Sequence, residues 1–291
     1  MISISDRLSL GLLIRIFRWR VCITWGLMLI ETALFAVTPL LIGWSIDGLL
    51  NNSWTAFFQL LATLGVLLVV ATGRRMYDTR AYGTMRVELA KAQAARSADE
   101  PISVGNARVL MGRELVYFLE NTAPEAVTAL VQIAVSIVVL LTFHGALAAS
   151  STGAIVLILI LYSLFARRFF SLNAALNEVN EHQVTAIETR DIKRIASHFV
   201  GLRREEVRLS DTESIAYGLI FFVLLTMLAF NLWFGATQMD ATPGQIFAIV
   251  SYSLEYLQSA VQLPVTLQAL TRLQEITERI NRPASEVIAP E

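Results

Sequence analysis

The chain of 291 residues is 55% hydrophobic and only 16% charged, with a mean hydropathy of +0.58. A soluble domain carries roughly 25% charged residues, so an integral membrane protein is predicted, and the net charge of -1 matters less than where the charges fall. The single cysteine, Cys22, excludes an intramolecular disulfide framework and a Cys-rich metal site.

Residues 1–20 come first. In SDRLSLGLLIRIFRWR, Leu, Ile and Phe are interleaved with Arg7, Arg15, Arg18 and Arg20. That pattern suits a helix lying at the membrane interface and equally suits the basic end of the first span. The apolar run after Arg20 is too long for a cleavable signal. Six apolar runs then predict six spans, at about 21–46, 54–73, 122–143, 148–170, 214–239 and 244–270. Each is near the ~20 residues a helix needs to cross a bilayer. A six-span domain over 21–283 is expected, with 284–291 as a tail.

Of the 23 Lys and Arg residues, four precede the first span, eight lie from Arg74 to Arg113, eight from Arg167 to Arg208, and three follow the sixth span. The connections 47–53, 144–147 and 240–243 have none. The positive-inside rule places both termini and both long connections in the cytoplasm, which in a bacterial cell means a multi-pass protein of the inner membrane. The long connections are rich in Ala, Leu, Glu, Arg and Met and poor in Gly and Pro, a composition that favours helix. One helix from about 54 to 97 would be roughly 60 Å long. The sequence predicts a turn at ADEPISVGN, marked by Pro101 and Gly105, and a second break near Thr189 to Ser197. The expected fold is therefore all-α, with six membrane helices and two long intracellular helical hairpins.

Catalytic constellations are sparse. Lys91 and Lys193 are the two lysines, and each follows a non-glycine residue, so the chain holds no Gly-x4-Gly-Lys-Ser/Thr phosphate loop and ATP hydrolysis by this polypeptide alone is not expected. His144, His182 and His198 form no ligand pair at helical spacing, and no Ser or Cys is flanked like a nucleophile elbow. Neither a metal nor a cofactor is expected in this chain. The basic residues serve as membrane-side anchors, so nucleic acid is not expected as a partner; the lipid bilayer is.

The informative polar residues lie inside the apolar runs. The first span carries Thr24, Glu31, Thr38 and Ser45 at intervals of seven, which makes one seam along a helix. Glu31 is about ten residues in, roughly 15 Å from the cytoplasmic edge and near mid-bilayer. The sixth span carries Tyr252, Glu255, Tyr256, Ser259, Gln262 and Thr266 on one face. An ionised side chain at that depth costs several kcal/mol or more and usually faces an interior. Glu31 and Glu255 are thus candidates to bind a cationic substrate or exchange protons, with Thr38, Tyr252, Tyr256, Ser259 and Gln262 as further cavity contacts. Packing against neighbouring helices is the competing reading. Gln132 and Asn231 read better as helix–helix hydrogen bonds, and Glu120 and Glu125, beside Pro124, as interfacial residues.

Three local patterns carry a resemblance. PLLIGWSIDGLL holds Pro39, Gly43 and Asp47; ISVGNARVLMGREL holds Gly105 and Glu114; TPGQIFAIVSYSLEYLQSAVQLP leads into TRLQEITERI. In this order and spacing they resemble the transmembrane domain of type I ABC exporters, with Glu114 standing where that family usually has Asp. The resemblance implies a homodimer of six-span units that exchange helices around a central path. It also implies contacts with an ATPase at the cytoplasmic turns, here Pro101, Gly105, Asn106, Arg190 and Asp191. Family members usually continue into an ATPase, whereas this sequence stops at Glu291. Three readings follow: a half-transporter for a small molecule or peptide, with the proton gradient as one candidate energy source; the membrane subunit of a split ABC transporter with a separately encoded ATPase; and a non-transporting binding or regulatory protein.

Overall fold

The computed structural model describes residues 10–96 and 102–281. Among them every regular element is helical: α1 (Leu10–Ile16), α2 (Arg18–Leu50), α3 (Thr55–Arg96), α4 (Ile102–Tyr117), a π-helical turn (Phe118–Thr122), α5 (Ala123–Phe143), α6 (Gly145–Glu181), α7 (Gln183–Glu188), α8 (Ile192–Thr237) and α9 (Pro243–Asn281). Five stretches of the described residues are long and apolar enough to cross a membrane: Arg18–Leu50, Thr55–Arg96, Gly112–Phe143, Gly145–Glu188 and Ile192–Thr237. The protein is a multi-pass membrane protein. The expected sixth span falls in α9, whose side chains are described as far as Gln262.

The helices end where backbone chemistry demands it. Between α2 and α3, Asn52 adopts φ 58°, a left-handed conformation that Asn tolerates better than most residues. His144 alone separates α5 from α6, and its Nδ1 accepts the Ala146 N–H at 3.1 Å, which satisfies one orphan donor of the new helix. The predicted single helix from 54 to 97 matches α3.

The break expected near Thr189 to Ser197 is narrower. Arg190 and Asp191 do sit in it, with Arg190 at φ 51°. Asp191 Oδ1 accepts the Lys193 N–H at 2.9 Å, so α8 is already capped there and Ser197 lies inside it. At the other break, Pro101 lies outside the described residues. Gly105 and Asn106 fall within α4 rather than in a turn; a helix tolerates an isolated glycine at a cost of about 1 kcal/mol relative to alanine.

The π-helical turn was not foreseen. Pro124 has no N–H to offer the Glu120 carbonyl, and the backbone widens over Phe118–Thr122 just before it. Tyr82, 1% exposed, donates its hydroxyl to the Leu119 carbonyl in this turn at 3.0 Å.

Contacts divide the chain into two compact units, residues 1–139 with 235–291, and residues 140–234. The core of the first joins Leu13 of α1 to Tyr82, Met85 and Leu89 of α3 and to Leu115, Val116 and Leu119. Within the described part of the N-terminal segment, Leu10–Ile16 is a short helix of its own that buries Leu13 completely. The second unit holds the end of α5, α6, α7 and most of α8. Its polar tie is Ser150, which donates to Asn231 Oδ1 at 2.5 Å; Asn231 is fully buried. Interhelical hydrogen bonds in membranes contribute modestly. Asn231→Leu is expected to cost about 1 kcal/mol in unfolding experiments on bicelle-reconstituted protein, and an unchanged stability would argue against this tie.

Candidate functional site

The polar groups of the first unit form a chain of contacts linking α2, α3, α5 and α9. One end is the junction of α2 and α9. Thr242 and Gln245 make a reciprocal capping box, Gln245 N–H to Thr242 Oγ1 at 3.2 Å and Thr242 N–H to Gln245 Oε1 at 3.0 Å, with Pro243 at the first helical position, where its missing N–H costs nothing. Asp47 closes the same helix end from α2. Its carboxylate accepts the Thr242 hydroxyl at 2.5 Å and the Gly244 N–H at 2.9 Å, placing negative charge where the helix dipole favours it. Gly43 and Gly244 let the backbones touch: a Cβ on Gly43 would lie 2.5 Å from the Gly244 carbonyl oxygen. Further along, the Tyr252 hydroxyl donates to the Ala36 carbonyl at 2.7 Å.

The sixth-span stripe lies against its own unit. Tyr252, Tyr256 and Ser259 are buried and Glu255 is half-buried. Gln132 on α5 donates its amide to Glu255 Oε2. Gln132 is thus the helix–helix bond that its sequence context suggested, and its partner is a membrane carboxylate. Thr38 donates to the Leu34 carbonyl within α2 at 2.9 Å.

The seam of sevens on α2 faces α3 at two positions. Thr24 meets the Tyr82 hydroxyl at 3.2 Å, and Glu31 pairs with the Arg74 guanidinium. Arg74 stands where the apolar run of α3 ends, so its long side chain can reach a carboxylate in the neighbouring helix while its stem stays in apolar surroundings. Through Nη1 it also holds Asp78, one turn on, at 3.2 Å. A second pair, Arg86 with Glu120, joins α3 to the π-helical turn. Glu31 and Glu255 therefore have different partners on different helices.

A cavity of about 260 Å³ opens beside these pairs. Met28 and Asp78 are its buried floor, and Arg75, Thr79, Glu125 and Gln262 are exposed at its rim. Of the residues singled out from sequence, Gln262 lines it and Glu31 borders it through Arg74; Tyr252, Tyr256, Ser259 and Thr38 are not among its lining residues. The sequence reading passes over Arg74 and Asp78 as site residues and takes Glu120 and Glu125, which also line the cavity, as interfacial. The readable signal was Arg74 and Asp78 spaced i, i+4 at the end of a charge-free apolar run. Among the described residues no group of three or more His, Cys, Asp and Glu has metal-binding geometry.

A family model described as ABC transporter transmembrane region matches residues 10–244. A search of curated proteins found no match to the chain.

Proposed function

Because this chain belongs to the ABC transporter transmembrane-region family, as the match over residues 10–244 shows, we propose that it is one half of a homodimeric membrane transporter that moves a small molecule or peptide. Six spans, both termini in the cytoplasm of an inner-membrane protein and two long cytoplasmic helical hairpins are part of this reading, supported by the one-sided distribution of Lys and Arg. The observation that carries it is the set of polar contacts between apolar helices of the first unit: Arg74 with Glu31 and Asp78, and Gln132 with Glu255. A lipid-facing bundle gains little from such groups, whereas a translocation path needs them.

Glu255 is the proposed proton-exchanging group. Its partner Gln132 is a neutral amide able to bond either form of the carboxyl, whereas Glu31 is paired with the Arg74 guanidinium. Full chain reconstituted in liposomes, with an internal pH dye and a mixture of short peptides as probe, tests this. An imposed pH gradient is expected to drive peptide-dependent proton flux, reduced about tenfold or more in Glu255→Gln, as for removal of a proton-transfer group. Peptide uptake indifferent to both the gradient and the substitution would sink proton coupling.

A second reading keeps the transporter and changes the motor. The family is that of ABC transporters, this chain has no phosphate loop, and Arg190 and Asp191 form an exposed break between helices to which a separate ATPase could dock. Co-purification of an ATP-hydrolysing partner at stoichiometric ratio would favour it.

A further inference from the structure

Where α4 passes into α5, the helix loses a hydrogen bond that its own backbone cannot restore. The Ala123 N–H is drawn to the Phe118 carbonyl, five residues back. In an α-helix that N–H would have served the Leu119 carbonyl. In a π-helix the Leu119 carbonyl would be served by the next residue, which is Pro124 and has no N–H. Leu119 is 2% exposed, and a buried carbonyl without a donor is costly. The Tyr82 hydroxyl fills the gap at 3.0 Å. One turn further along α3, Arg86 pairs with Glu120, so two residues on one face of α3 grip two consecutive residues of the turn.

A second arrangement of this grip is already in place. Tyr82 Oη also stands 3.2 Å from Thr24 Oγ1 of α2, and the Thr24 hydroxyl donates to the Val21 carbonyl at 2.9 Å. Each hydroxyl has one proton. With both protons directed at carbonyls, none is left for the contact between the two oxygens. When Tyr82 turns its proton to Thr24, that contact becomes a hydrogen bond and the Leu119 carbonyl loses its donor. Tyr82 and Thr24 are 1% and 3% exposed, so the choice lies between protein partners and not with solvent.

We propose that the π-helical turn is a hinge between α4 and α5 and that the Tyr82 hydroxyl is its latch, closed on the Leu119 carbonyl and open on Thr24. Helices bend at π-bulges and at prolines, and here the two adjoin. α4 is anchored in the core by Leu115 and Val116, both fully buried, whereas α5 carries Gln132 to Glu255. Opening therefore swings α5 against a fixed α4 and moves the amide that holds Glu255. What the motion serves rests on the transporter reading; the hinge itself does not. A responsive turn in a chain that moves no peptide keeps the hinge and fails the transporter, and flux with an unresponsive turn fails the hinge alone.

Hydrogen–deuterium exchange of the full chain in lipid nanodiscs, read by mass spectrometry on peptides covering Thr122 and Ala123, tests the latch, because exchange reports an open form even when it is scarce. Tyr82→Phe is expected to speed exchange there by about tenfold, as for loss of the donor to a buried carbonyl. Thr24→Val removes the acceptor of the open form and is expected to slow exchange by about fivefold, as for loss of one hydrogen bond. A merely structural Thr24 requires the opposite sign, since its loss would loosen α2 on α3. That sign decides the matter should Tyr82→Phe fail to fold. Pro124→Ala returns a backbone N–H to the turn, so adding Tyr82→Phe to it is expected to leave exchange unchanged. Peptides around Met85 and Leu89 on α3 are the control and should keep their rates. Unaltered exchange in Tyr82→Phe, unchanged or faster exchange in Thr24→Val, equal acceleration in the control peptides, or an effect of Tyr82→Phe that persists in Pro124→Ala overturns the proposal.

Discussion

Gly244→Ala is expected to be among the most damaging single-methyl additions in this protein. A Cβ at Gly244 would fall inside the contact radii of the Gly43 carbonyl oxygen and of the Asp47 carboxylate. Neither neighbour is a flexible side-chain end. One is backbone of a packed helix, and the other is fixed by its bonds to Thr242 and Gly244 itself. The methyl therefore either pushes α2 and α9 apart or displaces Asp47 from the start of α9. Overpacking costs about 1–3 kcal/mol, and loss of a helix cap adds about 1 kcal/mol. The sum, on the order of 3 kcal/mol, corresponds to several degrees in Tm for a chain of this size. Thermal unfolding of purified protein at matched scan rates checks it. Gly26→Ala is the control: a Cβ there meets nothing within 4 Å, and alanine is the better helix former, so its Tm should hold or rise slightly. Equal losses in both variants would remove the close approach as the cause.

Arg74→Ala is the second large effect. It strands Glu31 and Asp78, both partly or wholly withdrawn from solvent, without their cation. Breaking a buried ion pair costs about 3–5 kcal/mol. Arg74 and Glu31 keep side-chain exposures of 27% and 25%, so about 2 kcal/mol is the reasonable expectation after allowing for screening. Glu31→Gln should cost less, because Arg74 keeps Asp78. The double variant Arg74→Ala with Glu31→Gln should be more stable than Arg74→Ala alone, since it removes one stranded charge. A double-mutant cycle in nanodiscs measures the coupling. Strict additivity would mean that the two residues act independently and would count against the pair.

The contrast between these residues shows what could be read in advance. Gly43, Asp47 and the Thr-Pro-Gly start of the last helix were visible as patterns. Their spacing led to a family, yet nothing in it said that Asp47 caps α9 across nearly two hundred residues of chain. Glu31 and Glu255 stand out in the sequence, because a carboxylate in an apolar run is conspicuous whatever surrounds it. Their partners were not. Arg74 looked like the basic border of a span, Gln132 like packing and Glu120 like an interfacial acid; each acquires its role from a helix far away in sequence.

The sequence by itself determined the all-helical membrane character and the positions of the long helices, because bilayer thickness sets a length and an apolar content that any window of residues either meets or fails. It also determined which groups would be costly to bury. Tertiary structure alone decided how those costs are met: which carboxylate takes a guanidinium and which a neutral amide, where Pro124 widens the backbone, and where a cavity is left. These outcomes depend on interhelical register and side-chain reach, which involve pairs of helices and leave no periodic trace in any one of them.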